Sequence, residues 1–498
     1  MAKVIRDLSD TSSYWAAIWA MCPMPDVHVI CDAPIGCFNL VATAVPDYTD
    51  SVPHIENVTP SVITEQEVGG SGTGEAVFRT YEGLRDEGWL EGKKLIVVST
   101  AESEMIGSDL SDLVSKMGEG TTYFHSESLS DDEHVGRDRV LAWLWDNYGE
   151  GNTDGIEQEA GLVNIIGPTY GCFNSPSDLH EVKRLIEGAG GRVNMVFPYA
   201  CELKDITNLA KAQVNVIMYQ EFGHTLAEKL GQPSLHAPFG IRGTTKFLQQ
   251  LGDLLGTRDQ ANAFITQERK STLQVVWDLW RGPQSDWFPT TSVGISTTRT
   301  YAEGLQSYLG DELGMPISFV APRPRKVDEM NNHDVRKAIH DNPPTLVYGS
   351  INERIYMAEA GASRSAFMPA AFPGSMVCRS VGTPFMGYRG TVHLIQDIVN
   401  KLYDALFGFL PLDSAYSKAQ GSGMAGAVKP AQVGDKGNMP WQADAQEVLD
   451  KALDKLPFLA RISASRELQM RVETEAKANN LQEVTAELAM SVLAAQAD

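Results

Sequence analysis

The chain is predicted to be of the α/β class, built from three doubly wound domains with parallel sheets and a small C-terminal helical unit. Three observations carry this reading. Short apolar, β-branched runs recur along the chain, amphipathic stretches follow several of them after a turn, and residues 439–498 lose the strand pattern altogether. Strand, turn and helix in repetition place helices on both faces of a parallel sheet, the Rossmann-like arrangement, and ligands then gather at the carboxyl ends of the strands.

The elements follow in order. Residues 27–31 and 95–99 read as buried strands of a first domain, 1–158, closed by the polar stretch 147–158. Residues 163–166, 192–197 and 214–218 are strands of a second domain, 159–289, with a helical pattern over 179–189 after the turn at 167–177. Residues 292–296, 317–321 and 345–348 are strands of a third, 290–412, with a helix over 299–313. The apolar run 402–412, interrupted by Asp404, reads as a buried helix. Residues 413–438 are rich in Gly, Ala, Ser and Lys and read as a linker. The segment 439–498 opens with Met439-Pro440-Trp441 and continues as amphipathic helices through Leu449, Leu453, Leu456, Leu481, Val484 and Leu488.

Composition narrows the function. The 498 residues carry 41 Lys and Arg against 64 Asp and Glu, a formal charge of -23. That balance argues against nucleic-acid binding, which needs a positive surface. No stretch reaches about 18 uncharged apolar residues, so no membrane span is expected, and the mixed charges before Tyr14 do not form a signal peptide. A cytoplasmic protein is the expectation. Six cysteines are too few for a disulfide framework in a chain of this length.

Common catalytic motifs are missing. There is no G-x-x-x-x-G-K-[ST], HExxH, GxSxG or CxxC. The glycine-rich run from Gly69 to Gly74 lacks the phosphate-binding lysine and reads as a loop before a helix over 75–86. The segment Asp32-Ala33-Pro34-Ile35-Gly36-Cys37 differs, because it directly follows the first strand. Pro34 and Gly36 favour a tight turn there, which would present the Cys37 thiol at the mouth of the sheet. Residue type alone leaves two readings open: a small buried hydrophobe, or one ligand of an iron–sulfur cluster shared across a subunit interface.

Several motifs in fixed order then resemble a known family. They are Gly36-Cys37-x-Asn39-Leu40 with Tyr48-Thr49-Asp50, the second loop Ser99-Thr100-Ala101-Glu102 to Gly107, Gly167-Pro168, Pro176-Ser177-Asp178, Trp277 to Arg281, Phe372-Pro373-Gly374, Gly382 to Tyr388, and Arg461 to Ala464. Their order and spacing, from about residue 14 to about residue 490, resemble the nitrogenase-like reductases, and within them the Z-subunit family of chlorophyllide a reductase.

The resemblance implies a catalytic component assembled as a heterotetramer with a Y subunit. A [4Fe–4S] cluster is shared with that Y subunit, and chlorophyllide a binds nearby. A transient partner, an ATP-dependent iron–sulfur reductase homodimer (the X subunit), delivers electrons, so ATP is used by that partner and not bound here. The reaction implied is two-electron, two-proton reduction of the C7=C8 double bond of ring B in bacteriochlorophyll biosynthesis. Such a protein is cytoplasmic and can lie peripheral to the photosynthetic membrane. Cys37 falls at the family's loop cysteine, whereas Ala101 stands where several relatives carry a second one. This chain would therefore supply one ligand and its partner three. The nearest alternative is the corresponding subunit of the dark-operative protochlorophyllide reductase, in which an aspartate replaces the ligand cysteine. A cofactor scaffold or a non-catalytic ligand-binding protein is the alternative of another class.

Two further expectations concern substrate and protons. Met386 and Tyr388, in the glycine-flanked 382–390 loop, are candidates for the wall of an apolar tetrapyrrole pocket, or equally part of a plain strand-to-helix connection. Asp286 is the candidate proton donor. Trp287 and Phe288 beside it would exclude water and raise its carboxyl pKa, while the plainer reading is a surface turn.

Overall fold

The computed structural model describes residues 11–43, 55–108, 110–118, 120–199, 201–362, 365–371, 382–409, 439–453, 468, 471–479 and 481–494. The 413–438 linker, Cys378 and the motifs at 48–50, 372–374 and 461–464 lie outside the described residues. The structure divides into two compact units, 1–401 and 402–498, and the first contains three parallel four-stranded sheets.

The first sheet holds β1 (Val27–Asp32), β2 (Val58–Pro60), β3 (Lys94–Ser99) and β4 (Thr122–Phe124), in the order β2-β1-β3-β4. The second holds β5 (Leu162–Ile166), β6 (Arg192–Phe197), β7 (Val214–Ile217) and β8 (Ser234–His236), in the order β6-β5-β7-β8. The third holds β9 (Val293–Thr298), β10 (Ile317–Arg323), β11 (Leu346–Gly349) and β12 (Ala366–Pro369), in the order β10-β9-β11-β12. Each sheet therefore reverses its winding between its first and third strands, and the loops leaving those two strands diverge around a crevice.

The strands form where they do because their residues are buried on both faces. All six residues of β1 and five of the six in β3 are buried. Ile30 pairs with Val97, and both belong to a core with Val77, Leu95 and Met117. Each such aliphatic side chain contributes about 1.5–3 kcal/mol of burial. β2, β4, β8 and β12 have no counterpart in the sequence reading. They are short edge strands of three or four residues, partly exposed, and two contain proline, so they show no continuous apolar run.

Helix packing joins the sheets. The helix Glu133–Tyr148 lies against Ser13–Met21, and Gly136 makes that approach possible. A Cβ at this position would stand 2.6 Å from the Cα of Ser13. Gly136→Ala is expected to cost about 1–3 kcal/mol through overpacking, read as a lowered urea midpoint at unchanged slope. An unchanged midpoint would mean that the contact relaxes freely.

From the same helix, the buried Arg137 pairs with Glu133 at 2.8 Å and donates to Thr169 Oγ1 (3.0 Å) and to the Tyr170 carbonyl (3.1 Å). The helical pattern expected over 299–313 is Arg299–Leu305 continued by a π-helical segment, Gln306–Glu312. The apolar run from 402 is helical through Phe409, within Gly387–Phe409. It is not fully buried as expected: Leu402 and Tyr403 are half-buried and Asp404 is exposed.

The second unit has a small alanine-rich core of Ala445, Val472, Ala476, Val484 and Ala489, with Trp441 bridged to Val484. Its helices include Ala443–Leu453 and Ala486–Ala494. Among the described residues of the chain, no helix is long and apolar enough to cross a membrane.

Candidate functional site

β1 and β3 are adjacent strands, with Asp32 opposite Ser99, so the loops at their carboxyl ends emerge side by side. The first loop turns at Asp32-Ala33-Pro34, where the Ala33 N–H donates to the Cys31 carbonyl at 2.8 Å. A helix, Ile35–Thr43, starts at once. Cys37 therefore lies in a first helical turn rather than in a free tight turn. The Pro34 carbonyl accepts from the N–H groups of Cys37 (3.1 Å) and Phe38 (3.2 Å), which nucleates that turn. The buried Tyr14 hydroxyl donates to the Cys37 carbonyl at 2.7 Å and fixes the backbone.

The second loop is fixed by a capping box. Thr100 and Ser103 cap the helix Ala101–Met105 reciprocally, and the Thr100 hydroxyl donates to the Asp32 carbonyl at 2.8 Å, tying the two loops together. The consequence is a contact between residues 65 positions apart: the Cys37 thiol donates to Glu102 Oε1 at 2.9 Å. Glu104, two residues on, is committed elsewhere. It accepts from Ser99 Oγ at 2.6 Å, Ser126 Oγ at 2.9 Å and the Leu129 N–H at 3.3 Å.

Burial, then the hydrogen bond to Glu102 and its charge, push the Cys37 thiol up to about 12. It is protonated at neutral pH, and a metal binding there must displace the proton. Below it, the fully buried Asp32 accepts from Thr73 Oγ1 (2.7 Å) and Ser61 Oγ (3.3 Å), and burial pushes its carboxyl up to about 6. Thr73 comes from the glycine-rich segment. Part of that segment is not an open loop but a π-helical turn, Glu67–Ser71, and the run closes over the end of β1 before the helix Gly74–Asp86.

The other sequence candidates have different surroundings. Asp286 lies on the 3₁₀ helix Pro283–Thr290 and is exposed. Phe288 is buried and stacks on Trp280 at 5.4 Å, while the Asp286 side chain stays exposed to solvent. The expected burial of Asp286 is corrected accordingly. Met386 and Tyr388 are fully buried. The Met386 N–H donates to Asp178 at 3.0 Å, and the Tyr388 hydroxyl lies 2.7 Å from Thr245 Oγ1. Cys22, Cys31 and Cys172 are buried thiols, and burial raises all three.

Asp32, Thr73, Thr100 and Glu102 were missed as members of the first-sheet site. A polar residue ending a buried strand, and the Thr-x-x-Ser cap after the next strand, were the available signals. Among the described residues, no group of three or more His, Cys, Asp or Glu side chains could hold a metal ion. A thiol and a carboxylate at the end of a sheet do fit one corner of a cluster completed by another chain, since clusters are held mainly by thiolates.

Comparisons with known proteins bear on the whole chain. It is 25% identical to the B subunit of light-independent protochlorophyllide reductase from Chlorobium phaeobacteroides (strain BS1), covering 93% of this chain and 94% of that protein. The counterpart of the same name from Heliobacterium modesticaldum (strain ATCC 51547 / Ice1) is 24% identical, with 93% and 92% covered. The solved structure of nitrogenase Cp1 at pH 6.5 shares the fold, with a TM-score of 0.67 at 18% identity over 82% of this chain and 95% of that one. The family model for nitrogenase component 1 type oxidoreductases matches residues 12–403, all three sheets and the Cys37 loop included. On that match this chain belongs to the nitrogenase component 1 type oxidoreductase family.

Proposed function

We propose that this chain is one subunit of the catalytic component of a nitrogenase-like reductase that saturates one ring double bond of a tetrapyrrole. The observation that carries the reading is the half-buried Cys37 thiol, held at the crevice of the first sheet by Tyr14 and the Asp32–Thr100 tie. In this reading Cys37 supplies one thiolate to a [4Fe–4S] cluster, and a partner subunit supplies the other thiolates. When bound, the cluster passes electrons to the substrate one at a time. This chain's own residues hold the thiol in place, and an ATP-dependent reductase partner delivers the electrons.

The substrate has two candidates. The relatives named above are protochlorophyllide reductase subunits, which favours protochlorophyllide. The thiol at position 37, where that enzyme's family carries an aspartate, favours chlorophyllide a and a Y-type partner in a heterotetramer. Anaerobic co-expression with each type of partner subunit tests the proposal. The expected result is an iron-loaded complex that, with reductase and ATP, bleaches the absorbance of one of the two substrates. An iron-free protein that forms no complex would instead make it a ligand-binding protein.

Asp286, an exposed carboxylate on the 3₁₀ helix Pro283–Thr290, is our proposed proton donor. Asp286→Asn keeps the shape and removes the proton, so turnover should fall about 100-fold or more with the cluster intact. Normal turnover would place the donor elsewhere. For Met386 and Tyr388 to form a substrate wall, the loop before Gly387–Phe409 must first leave Asp178. If it does, Met386→Ala and Tyr388→Ala shift the absorbance of bound substrate; an unchanged spectrum leaves both as core residues.

A further inference from the structure

The carboxylate beside the thiol has a use that the single-thiolate reading leaves open. Glu102 sits in the first turn of the short helix Ala101–Met105, half-buried, and its backbone is oriented by the Thr100–Ser103 capping box. Among the described residues its side chain takes one hydrogen bond, from Cys37 Sγ at 2.9 Å. Its neighbour Glu104 is saturated by Ser99, Ser126 and Leu129. Glu102 is thus the carboxylate of this loop without a structural task, and it points at the thiol.

We propose that Glu102 is a second iron ligand from this chain, so that Cys37 and Glu102 present a thiolate and a carboxylate to one corner of the interfacial cluster. The inference rests on the cluster proposed above. Its physical basis is the geometry of the pair: the tie between Thr100 and the Asp32 carbonyl keeps the two loops together, and Glu102 Oε1 lies 2.9 Å from the sulfur, within reach of a cation bound there. A thiolate and a carboxylate at that distance repel each other unless a cation lies between them. Iron does so by bonding to sulfur and oxygen together. One proton is released, no electron moves, and the iron gains one oxygen donor beyond its thiolate. Carboxylate oxygen is a competent donor to iron, and two loops pre-tied at Asp32 and Thr100 hold it in reach at little entropic cost.

The test uses the co-expressed complex grown on ⁵⁷Fe, with Mössbauer and electron paramagnetic resonance spectra of the parent, Glu102→Gln, Cys37→Ala and the Cys37→Ala/Glu102→Gln double variant. Glu102→Gln keeps the size of the side chain and the assembly. The parent should show one iron site with an oxygen-ligand signature, about a quarter of the cluster iron, and Glu102→Gln should lose it. Loaded clusters in Cys37→Ala should keep four irons through Glu102, whereas the double variant should give the three-iron form. Superimposable spectra for parent and Glu102→Gln, or a three-iron cluster already in Cys37→Ala, would overturn the proposal. A parent complex without iron is a separate result, which removes the cluster reading itself.

Discussion

Cys37→Ala is expected to abolish turnover while leaving the fold in place. The thiol is half-buried at the surface end of the first sheet, its loss opens no core cavity, and the helix Ile35–Thr43 tolerates alanine. Stability should change by less than about 1 kcal/mol. Activity should fall by at least about 100-fold, since loss even of outer-shell partners of a metal costs about 10–100-fold and a ligand is closer. Fewer sites should be loaded with iron, and those that are loaded should give an altered spectrum. Substitution of the fully buried Cys22 or Cys31 should leave cluster and turnover near normal and appear only as a stability loss. Parent activity with a parent spectrum in Cys37→Ala would exclude the thiol as a ligand.

Asp178 is expected to be the most costly single position for stability. It is fully buried on the helix Ser175–Gly188 and accepts from the Phe385 N–H (2.7 Å), the Met386 N–H (3.0 Å), Asn174 Nδ2 (3.3 Å) and the Tyr301 hydroxyl. It therefore joins the helix after β5 to the helix Arg299–Leu305 after β9 and to the loop that starts Gly387–Phe409. Asp178→Ala leaves these donors without their acceptor, at a cost of about 3 kcal/mol or more. Thermal unfolding of the whole chain measures this, and a loss below about 1 kcal/mol would show that the joint is redundant.

The same residue gives a pH signature. Burial pushes its carboxyl up to about 6, against an ordinary value near 4 in the unfolded chain. Between those values the folded state binds more protons than the unfolded state, so this group's contribution to stability falls as pH rises through about 4 to 6. Asp178→Asn, which does not titrate, should flatten that part of the stability profile. Glu67 and Glu329 work in the opposite direction. Hydrogen bonding, from Thr64 at Glu67 and from Arg299 at Glu329, holds their carboxyls below the usual range, and their contribution is lost as pH falls through that lowered range.

The comparison of sequence with structure turns on distance along the chain. The α/β class, and the strands buried on both faces, were legible because a strand such as Val27–Asp32 carries its burial in its own residue types. The position of Cys37 just after such a strand was legible for the same reason: the end of a strand is a local property. The resemblance of ordered motifs added the cluster expectation, and the family match over residues 12–403 agrees with its family level. The edge strands Val58–Pro60, Thr122–Phe124, Ser234–His236 and Ala366–Pro369 were not legible, because a pairing partner defines them more than their own composition does.

What tertiary structure alone decided is which groups share a space. The thiol–carboxylate pair of Cys37 and Glu102 arises because β1 and β3 are neighbours in register, a fact of sheet order that no local pattern encodes. The exposure of Asp286 was decided likewise. Its aromatic neighbours suggested a dry site, but Phe288 spends its ring on Trp280, inside the fold. Local sequence determines the backbone and the burial of a strand, because those depend on dihedral preference and hydrophobicity. Solvent around a carboxylate and the partner of a thiol depend on chain segments far away, and only the packed fold sets them.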